Sequence, residues 1–442
     1  MTRDDHARLA FATRQLHAGD RSPGPHRPRA TPIYLTAGFE FDDFDQAHAR
    51  FAGTEEGFSY TRVGNPTNVA AEVRIADLES GVGALLLGSG QAAVATTVLA
   101  LVSAGDHVLA SSSIYEGTRE LLRDDLGRQG VAVDFIDDPN DAAAWDAAIR
   151  PNTRLVFAES IPNPKNDVLD VAAIATVAHR HGLPLVVDNT LATPYLVRPL
   201  EHGADIVVHS ASKFLAGHGT VLGGVIVDGG TFAWADHPDA YPQLARQRGL
   251  DGLTFAERSP RTAFLDFARR VAMRYGPVPS PFNAFLIIQG IETLSLRVAR
   301  QSATALQLAT WLEQQPGVES VDYSGLPSSP HHAVAARYLP LGQGSVFAVT
   351  IRGGREAARI FTDALHLFTR MTHLGDVRSL VLHPATTTHV LRDDEQLAAG
   401  GIGQGLLRLS IGLEEPEDLI ADLDHALAAV AAADLLSTIG VS

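Results

Sequence analysis

The sequence predicts an α/β fold, in which a large, mostly parallel sheet is covered by helices on both faces and a smaller α+β domain follows. From about residue 68 onward, short apolar segments of strand length alternate with segments of helical length. The strand-like segments are apolar throughout, which is typical of parallel strands buried on both faces. With 442 residues, the chain also exceeds the size that one hydrophobic core usually spans.

The elements of the large domain come first along the chain. Its helices are expected over residues 68–78, 91–102, 118–129, 141–149 and 171–181. Its strands are expected over residues 84–87, 107–110, 131–136, 155–158, 185–188, 206–208 and 222–227. Sheets of this kind bind ligands at the carboxyl ends of their strands, so polar residues at those ends are candidates for function.

Two segments outside this alternation look irregular. Residues 1–60 are not expected to hold a helix, because four prolines between residues 23 and 32 interrupt it. Residues 229–279 show weak periodicity, and we interpret them as an excursion that leads to a hinge near residues 277–281.

The C-terminal part is predicted to form a smaller α+β domain. Its expected elements are one long helix over residues 281–314, strands over 346–351, 380–383 and 406–411, and helices over 355–365 and 416–432. The predicted division of the chain is therefore an N-terminal arm over residues 1–60, a large cofactor-binding domain over 61–279 and a small domain over 280–442.

Composition narrows the classes of protein and partner. The formal net charge of -16 argues against nucleic acid and anionic membranes as partners. The absence of cysteine excludes disulfides and thiolate sites, and the histidines lack the spacing of a zinc site. The N-terminus lacks the apolar core of a signal peptide, and no apolar run is long enough to cross a bilayer. We therefore expect a cytoplasmic enzyme with a small-molecule substrate and no metal.

Two ionisable residues follow predicted strands. Asp188 ends one strand, and Lys213 follows another, in a run with the small hydroxyls of Ser210 and Ser212. Taken alone, a lysine is usually a solvated surface residue and an aspartate usually caps a turn. Together in an α/β frame they indicate pyridoxal 5'-phosphate (PLP). The lysine amine would form the Schiff base, while the carboxylate would keep the pyridine nitrogen protonated.

The segment Ser89–Gln91 lies between a strand and a helix and is a candidate phosphate site. Backbone N–H groups at a helix start bind anions, and Gly90 allows a phosphate to approach closely. Most strand–glycine–helix junctions are only tight turns. The hydroxyls of Ser210 and Ser212 could donate to the same phosphate, or they could satisfy backbone groups at the strand end.

Two further residues have both a functional and a structural interpretation. Tyr115 follows a predicted strand and could stack on a planar ring or anchor a loop. Arg408 lies in an otherwise apolar strand, where a charge needs a partner. A guanidinium suits a substrate carboxylate through a bidentate fork, and the alternative is a buried structural ion pair.

In combination, these segments resemble the Cys/Met-metabolism family of PLP-dependent enzymes, which has the aspartate-aminotransferase fold type. The motifs that carry the resemblance are residues 59–62, 65–67, 89–91, 159–160, 163–164, 188–190, 210–220 and 407–414. Within the family, the O-acetylhomoserine sulfhydrylases are the most similar group, through residues 16–19, 217–220, 280–297 and 375–389.

The resemblance implies a role for each matching residue. Lys213 would carry the cofactor, Asp188 would pair with the pyridinium, Tyr115 would stack on the ring and Asn163 would bond its 3'-oxygen. The remaining cofactor-binding residues, which include the phosphate site, would be Ser89, Gly90, Gln91, Thr190, Ser210 and Ser212.

The resemblance also implies an oligomer. Tyr60 and Arg62 would reach the phosphate from a neighbouring subunit, with Tyr60 also counted among the catalytic residues, so an active site would need at least a dimer. The family pattern is a tetramer of two dimers. Arg408 would bind the substrate carboxylate, with His373 beside it.

The activity that the resemblance implies is γ-replacement. O-acetylhomoserine and sulfide, or methanethiol, would give homocysteine, or methionine, and acetate. Cystathionine γ-synthase or methionine γ-lyase activity is the nearest alternative, and a non-catalytic protein that binds a phosphate ligand is a remote one. Three residues depart from the family pattern: Ser212 stands for threonine, Glu116 for glycine, and His373 for serine or asparagine.

Overall fold

Two sheets organise the protein in the computed structural model, which describes residues 9–19, 28–249 and 251–439. The large sheet has seven strands, β1 Gly83–Leu87, β2 His107–Ser111, β3 Ala132–Ile136, β4 Thr153–Glu159, β5 Leu185–Asp188, β6 Ile206–Ser210 and β7 Gly224–Asp228. The small sheet has five, β8 Val318–Asp322, β9 Val346–Ile351, β10 Thr369–Arg370, β11 Leu380–Leu382 and β12 Leu406–Ser410.

Helices surround both sheets. Those before β7 are α1 Phe11–His17, α2 Phe44–Ala52, α3 Pro66–Leu78, α4 Gly90–Leu101, α5 Glu116–Glu120, α6 Ala142–Ala148, α7 Val171–Arg180 and α8 Thr193–Leu196. Those after it are α9 Pro242–Ala245, α10 Phe255–Arg258, α11 Ala263–Tyr275, α12 Pro281–Ile291, α13 Leu294–Leu312, α14 His332–Tyr338, α15 Gly354–Ala364, α16 Asp394–Ala399 and α17 Pro416–Ile439.

The large sheet is mostly parallel, as predicted. Its strand order is β1-β7-β6-β5-β4-β2-β3. Strand β7 runs antiparallel to both of its neighbours, and every other adjacent pair is parallel. The carboxyl ends of β4, β5 and β6 therefore meet at one edge of the sheet.

The continuous apolar strands are explained by two cores, one on each face of the sheet. Val187 and Val207 face a core that also contains residues of α3, α7 and α12. Val186 and Ile206 face the opposite core, which contains residues of α4 and α11. Because successive side chains point to opposite faces, each strand must be apolar at every position.

The small sheet is mainly antiparallel and has a core of its own. Its order is β10-β11-β12-β9-β8, with only the short β10–β11 pair parallel. One face packs against α13, α15 and α17. The fold class predicted from the sequence is thus confirmed, with a large mixed sheet and a smaller second sheet.

The predicted excursion over residues 229–279 is wrong in part. It contains the thirteen-residue helix α11, whose Phe264, Ala268 and Ala272 are buried against the large sheet. The charged residues of α11 lie between these apolar positions, as in an amphipathic helix, and the interpretation of the whole segment as an excursion missed this pattern. The segment is therefore a covering layer of the sheet at its C-terminal end.

The long helix predicted over residues 281–314 is two helices. The break falls at Glu292 and Thr293, between α12 and α13. The carbonyl of Gly290 accepts hydrogen bonds from Arg297 Nη2 at 2.7 Å and Thr293 Oγ1 at 3.3 Å. Side chains therefore compete for a carbonyl near the end of α12, which favours ending the helix there.

Residues 1–60 are less irregular than predicted. Helices α1 and α2 lie in this segment, although prolines 23 and 25 fall outside the described residues. Arg14 of α1 pairs with Asp77 of α3 at 2.9 Å, which ties the segment to the large sheet. Within the described parts of the chain, no helix is long and apolar enough to cross a membrane.

Candidate active site

The polar residues that were candidates from the sequence lie together at the carboxyl edge of the large sheet. Asp188 is the last residue of β5, and Ser210 is the last residue of β6. Glu159 ends β4 and pairs in register with Asp188 across the two parallel strands. Lys213 follows β6 by three residues, so the lysine and both carboxylates belong to the same edge.

Lys213 lies beside a histidine from the distant small sheet. Its Nζ is 3.2 Å from His373 Nδ1. Burial, and next the positive charge of Arg408, lower the pKa of Lys213 to about 8. A lysine in this environment has a much larger fraction of free amine near neutral pH than an ordinary lysine, and the free amine is the nucleophilic and basic form.

His373 is held neutral at this position. Burial, and next the charge of Lys213, lower the pKa of His373 to about 4. With Nδ1 accepting from Lys213, the ring proton belongs on Nε2. Nε2 is buried and has no hydrogen-bond partner among the described residues. His373 therefore offers an unused donor next to the lysine.

Arg408 supplies a second unused donor close by. It lies in the middle of β12, and its Nη2 donates to the carbonyls of Thr372 and His373, each at 3.0 Å. Its Nε is buried and has no hydrogen-bond partner in the described part of the chain, and burial lowers the pKa of Arg408 to about 10. The guanidinium carries no ion pair with a carboxylate, so the alternative of a buried structural ion pair is not what the structure shows within the described residues.

Asp188 and Thr190 connect the ends of β5 and β6. Asp188 Oδ1 accepts from the Thr190 amide at 2.9 Å and from Thr190 Oγ1 at 2.5 Å. The same hydroxyl accepts from the Ser210 amide at 2.8 Å. Thr190 thereby fixes the Asp188 carboxylate relative to the strand that leads to Lys213.

Glu159 is a second carboxylate beside Asp188. The sequence interpretation assigned no role to Glu159. Glu159 Oε1 accepts from the Tyr115 amide at 2.6 Å. Burial, and next the charge of Asp188, raise the pKa of Glu159 well above its ordinary value. Burial also raises the pKa of Asp188, but the hydrogen bonds from Thr190 oppose this shift. Glu159 is therefore the carboxyl group of the pair that holds a proton more readily.

Tyr115 is positioned by this contact. It precedes α5, and its side chain is 48% exposed. Gly117 keeps the ring in place, because a Cβ there would come within 2.6 Å of Tyr115 Cε1. The exposed ring is consistent with a face that is open to a planar ligand.

Glycines bring backbone segments close together at the candidate phosphate site. Ser89 caps α4 by accepting from the Ala92 amide at 3.1 Å. A Cβ on Gly90 would lie 2.7 Å from Ser210 Cβ, and a Cβ on Gly224 would lie 1.8 Å from the Ser89 carbonyl oxygen. Glycines therefore let the start of α4 pack directly against the ends of β6 and β7.

The other predicted phosphate contacts are partly occupied by protein groups. Gln91 Nε2 donates to the Gly117 carbonyl at 2.8 Å, and its Oε1 accepts from Thr118 Oγ1 at 3.1 Å. Ser212 Oγ accepts from the Gly223 amide at 3.0 Å and donates to the Gly223 carbonyl at 3.3 Å. The hydroxyl of Ser212 thus braces the turn before β7.

Tyr60 and Arg62 do not join this cluster within one chain. Tyr60 is 46% exposed, and the Arg62 guanidinium lies 5.4 Å from the centre of its ring. Arg62 Nη1 donates to the Met273 carbonyl at 2.5 Å. Their described contacts include none with Lys213 or with Ser89–Gln91, so a role at the phosphate requires another subunit.

The donor set fits PLP and an amino-acid substrate. Asn163 Oδ1, His373 Nε2 and Arg408 Nε are buried and lack partners among the described residues. The acceptor at Asn163 matches a ring hydroxyl, and the two donors around Lys213 match a carboxylate. The glycine-lined helix start matches a phosphate. We found no conflict between these residues and that cofactor.

Glu159 could have been found from the sequence, because it ends an apolar strand just as Asp188 does. The contact between Lys213 and His373 could not, because the two residues are 160 positions apart. An ion pair beyond Tyr115 could not be found from the sequence either. In it, Arg392 donates to the Glu116 carboxylate, and His389 lies nearby.

Comparison with known proteins agrees with this geometry. The family model described as Cys/Met metabolism PLP-dependent enzyme matches residues 12–428. A similar solved structure is that of a putative O-acetylhomoserine (thiol)-lyase from Campylobacter jejuni, which carries N'-pyridoxyl-lysine-5'-monophosphate. It has a TM-score of 0.91 and 33% identity, and the match covers 95% of this chain and 100% of that one.

Curated relatives match over almost the whole chain. The O-acetyl-L-homoserine sulfhydrylase of Corynebacterium glutamicum is 43% identical over 424 residues, 95% of this chain and 97% of the relative. The homocysteine synthase of Schizosaccharomyces pombe is 42% identical, covering 94% and 98%. The L-methionine gamma-lyase of Porphyromonas gingivalis is 40% identical, covering 97% and 99%. With its lysine, its paired carboxylates and these matches, the chain belongs to the Cys/Met metabolism family of PLP-dependent enzymes.

Proposed function

We propose that this enzyme catalyses γ-replacement, converting O-acetylhomoserine and sulfide, or methanethiol, to homocysteine, or methionine, and acetate. The observation that carries the proposal is the partly buried Lys213 amine with unused donors of His373 and Arg408 beside it. The similarity to O-acetylhomoserine sulfhydrylases over nearly the full chain supports the choice of substrate.

Lys213 would hold PLP through its amine, with Asp188 at the pyridine nitrogen, Tyr115 against the ring and Asn163 at the ring oxygen. Ser89, Gly90, Gln91, Thr190, Ser210 and Ser212 would form the rest of the cofactor site. When bound, PLP supplies an electron-withdrawing ring that stabilises negative charge developing at the substrate Cα. Asp188 supports this property because its carboxylate, fixed by Thr190, favours a protonated ring nitrogen.

Lys213 would also move the protons of the reaction. Once the substrate amine has replaced it, the free lysine amine would accept the proton from Cα, remove a proton from Cβ as acetate leaves, and return protons to Cβ and Cα after sulfur has added at Cγ. Its pKa of about 8 suits both acceptance and donation near neutral pH. Acetate leaves from Cγ with its bonding electron pair, and the sulfur nucleophile forms the new bond at the same carbon.

The substrate carboxylate would bind between Arg408 and His373. Arg408 Nε and His373 Nε2 are both buried donors without partners among the described residues. A carboxylate there would satisfy both and would keep Cα within reach of the lysine. Because His373 contacts Lys213 through its other nitrogen, it would link carboxylate binding to the placement of the base.

The main competing activity is γ-elimination, since a methionine gamma-lyase is also among the relatives. A comparison of O-acetylhomoserine, O-succinylhomoserine, methionine and cystathionine, each with and without sulfide, separates the activities. Sulfide-dependent consumption of O-acetylhomoserine is the expected result. Sulfide-independent consumption of methionine would favour the lyase.

The covalent role of Lys213 has a separate test. Lys213 and Lys165 are the only lysines of the chain. Lys213→Ala should lose both turnover and the visible absorbance of the attached cofactor, whereas Lys165→Ala should keep both. Turnover in the Lys213→Ala enzyme would refute the role.

We also propose that the enzyme is a homotetramer of two dimers, in which residues 1–60 form an arm that reaches a neighbouring subunit. Residues 61–279 and 280–442 would then be the large and small domains. A cytoplasmic location stays a prediction, which fractionation of expressing cells would test. Light scattering on the purified enzyme measures the subunit number directly.

A further inference from the structure

A cavity of about 570 Å³ adjoins the candidate active site, and the proposed reaction uses few of its residues. It is lined by Ile114, next to Tyr115, and by Asn163, whose Oδ1 has no partner among the described residues. Glu116 and Arg392 also line it. Through Ile114 and Asn163 the cavity therefore adjoins the candidate cofactor site.

Glu116 and Arg392 form an ion pair across this cavity. Glu116 is the first residue of α5, directly after Tyr115, and Arg392 precedes the N-cap of α16. Arg392 donates to the carboxylate through both Nη2 and Nε, the latter at 3.2 Å. The side chains are 12% and 20% exposed, so the pair is well shielded from solvent. The Nε and Nη2 donors of Arg392 are thereby occupied by Glu116.

The charges around the cavity are balanced. Four cationic side chains line it, those of Arg119, Arg123, Lys165 and Arg392, together with four acidic ones that include Glu116 and Glu120. His389 lies 3.9 Å from Glu116, and burial, followed by the charge of Arg392, lowers the pKa of His389. A neutral His389 adds no charge, so neutralising Glu116 would leave the cavity with an excess of positive charge.

We propose that the Glu116–Arg392 pair selects the acyl group of the ester substrate, admitting a short uncharged acyl group and excluding one that carries a second carboxylate, such as succinyl. The inference rests on the proposed γ-replacement for its substrate class. An entering carboxylate would meet Glu116 as a like charge, and it would have to displace an existing bidentate partner from Arg392. An uncharged acetyl group meets neither obstacle.

The test uses the PLP-loaded enzyme and three variants. Glu116→Gln frees Arg392, and Glu116→Gln/Arg392→Gln removes the freed cation again. Glu120→Gln is the matched control, since Glu120 lines the same cavity one turn along but does not pair with Arg392. The first readout is the ratio of kcat/KM for O-succinylhomoserine to that for O-acetylhomoserine. The second is calorimetric binding of succinate, with uncharged succinamide as the control for binding that does not depend on charge.

We expect Glu116→Gln to raise both the succinyl-to-acetyl ratio and the affinity for succinate by about tenfold or more, the size of one charge-assisted hydrogen bond. The double variant should lose this gain, and Glu120→Gln should not show it. Affinity for succinamide, which carries no charge, should be the same in all four proteins.

Different results would refute the two proposals, acyl selection by the Glu116–Arg392 pair and γ-replacement. An unchanged ratio together with unchanged succinate affinity in Glu116→Gln, or an equal fall in activity with both esters, overturns acyl selection by the pair. If no ester yields homocysteine but Glu116→Gln still gains succinate affinity, γ-replacement is refuted while charge selection at the cavity stands.

Discussion

The chemistry at the residue scale depends on the surroundings of one amine. Lys213 is removed from water and lies near the Arg408 guanidinium, and both effects disfavour its ammonium form. His373 accepts a hydrogen bond from the amine without carrying a charge. The lysine is therefore prepared for attack on the cofactor before any ligand binds.

The titration of Lys213 in the cofactor-free enzyme follows from this environment. The amine should become half deprotonated near pH 8, the value of its lowered pKa, so its reactivity should rise through that pH. Arg408→Gln removes one of the two causes and should move the midpoint upward. The measurement is the labelling rate of Lys213 by an amine reagent against pH, read by peptide mapping. Equal midpoints in the two proteins would show that Arg408 has no influence.

The proposed link through His373 gives a second prediction. His373→Asn is too short to contact Lys213 and a substrate carboxylate together, so KM for O-acetylhomoserine should rise by about tenfold. The affinity for PLP, measured by equilibrium dialysis, should change much less. His331→Asn is a control at a histidine away from Lys213. An unchanged KM in His373→Asn would place the residue outside the substrate site.

At the scale of secondary-structure elements, the ends of the predicted strands were the sequence feature that indicated the site residues. Asp188 and Lys213 could be predicted because apolar strands of an α/β sheet end at one functional edge. Helix α11 was missed although its sequence has an amphipathic pattern, in which Phe264 and Ala268 are buried and Arg270 is exposed. Arg408 and His373 were expected near the substrate carboxylate, but the direct contact of His373 with Lys213 could not be predicted, since no local pattern reports a contact between segments 160 positions apart.

The tight packing at the start of α4 gives a prediction for this element. Gly90→Ala would place a Cβ 2.7 Å from Ser210 Cβ, which should push α4 away from β6. Overpacking of this kind costs about 1–3 kcal/mol, so PLP affinity should fall by roughly tenfold or more. Gly127→Ala is the control, because a Cβ there meets nothing within 4 Å. Equal PLP affinity in both variants would argue against a phosphate site at Gly90.

At the scale of the whole molecule, one chain leaves apolar surface uncovered. In the segment before α3, Leu35 is 73% exposed, Phe44 86% and Phe51 80%. Tyr60 and Arg62 follow in the same segment and contact none of the Lys213 cluster in their own chain. A segment of this kind is suited to bury its apolar residues against another subunit.

Subunit complementation tests whether the site is shared. Lys213→Ala and Arg62→Ala should each be inactive as pure proteins. If Arg62 serves the neighbouring site, mixed oligomers made by co-expression should regain activity, because one kind of shared site then carries neither substitution. Mixing after purification without subunit exchange is the control. No recovery in verified mixed oligomers would place Arg62 in the site of its own chain.

The central claim is γ-replacement at Lys213, and product analysis tests it most directly. Purified enzyme is given O-acetylhomoserine and sulfide, and homocysteine, acetate and 2-oxobutanoate are quantified in the same reaction. The account predicts equal amounts of homocysteine and acetate and little 2-oxobutanoate, all dependent on Lys213. Acetate released with 2-oxobutanoate and ammonia in place of homocysteine would contradict it and identify the enzyme as a γ-lyase.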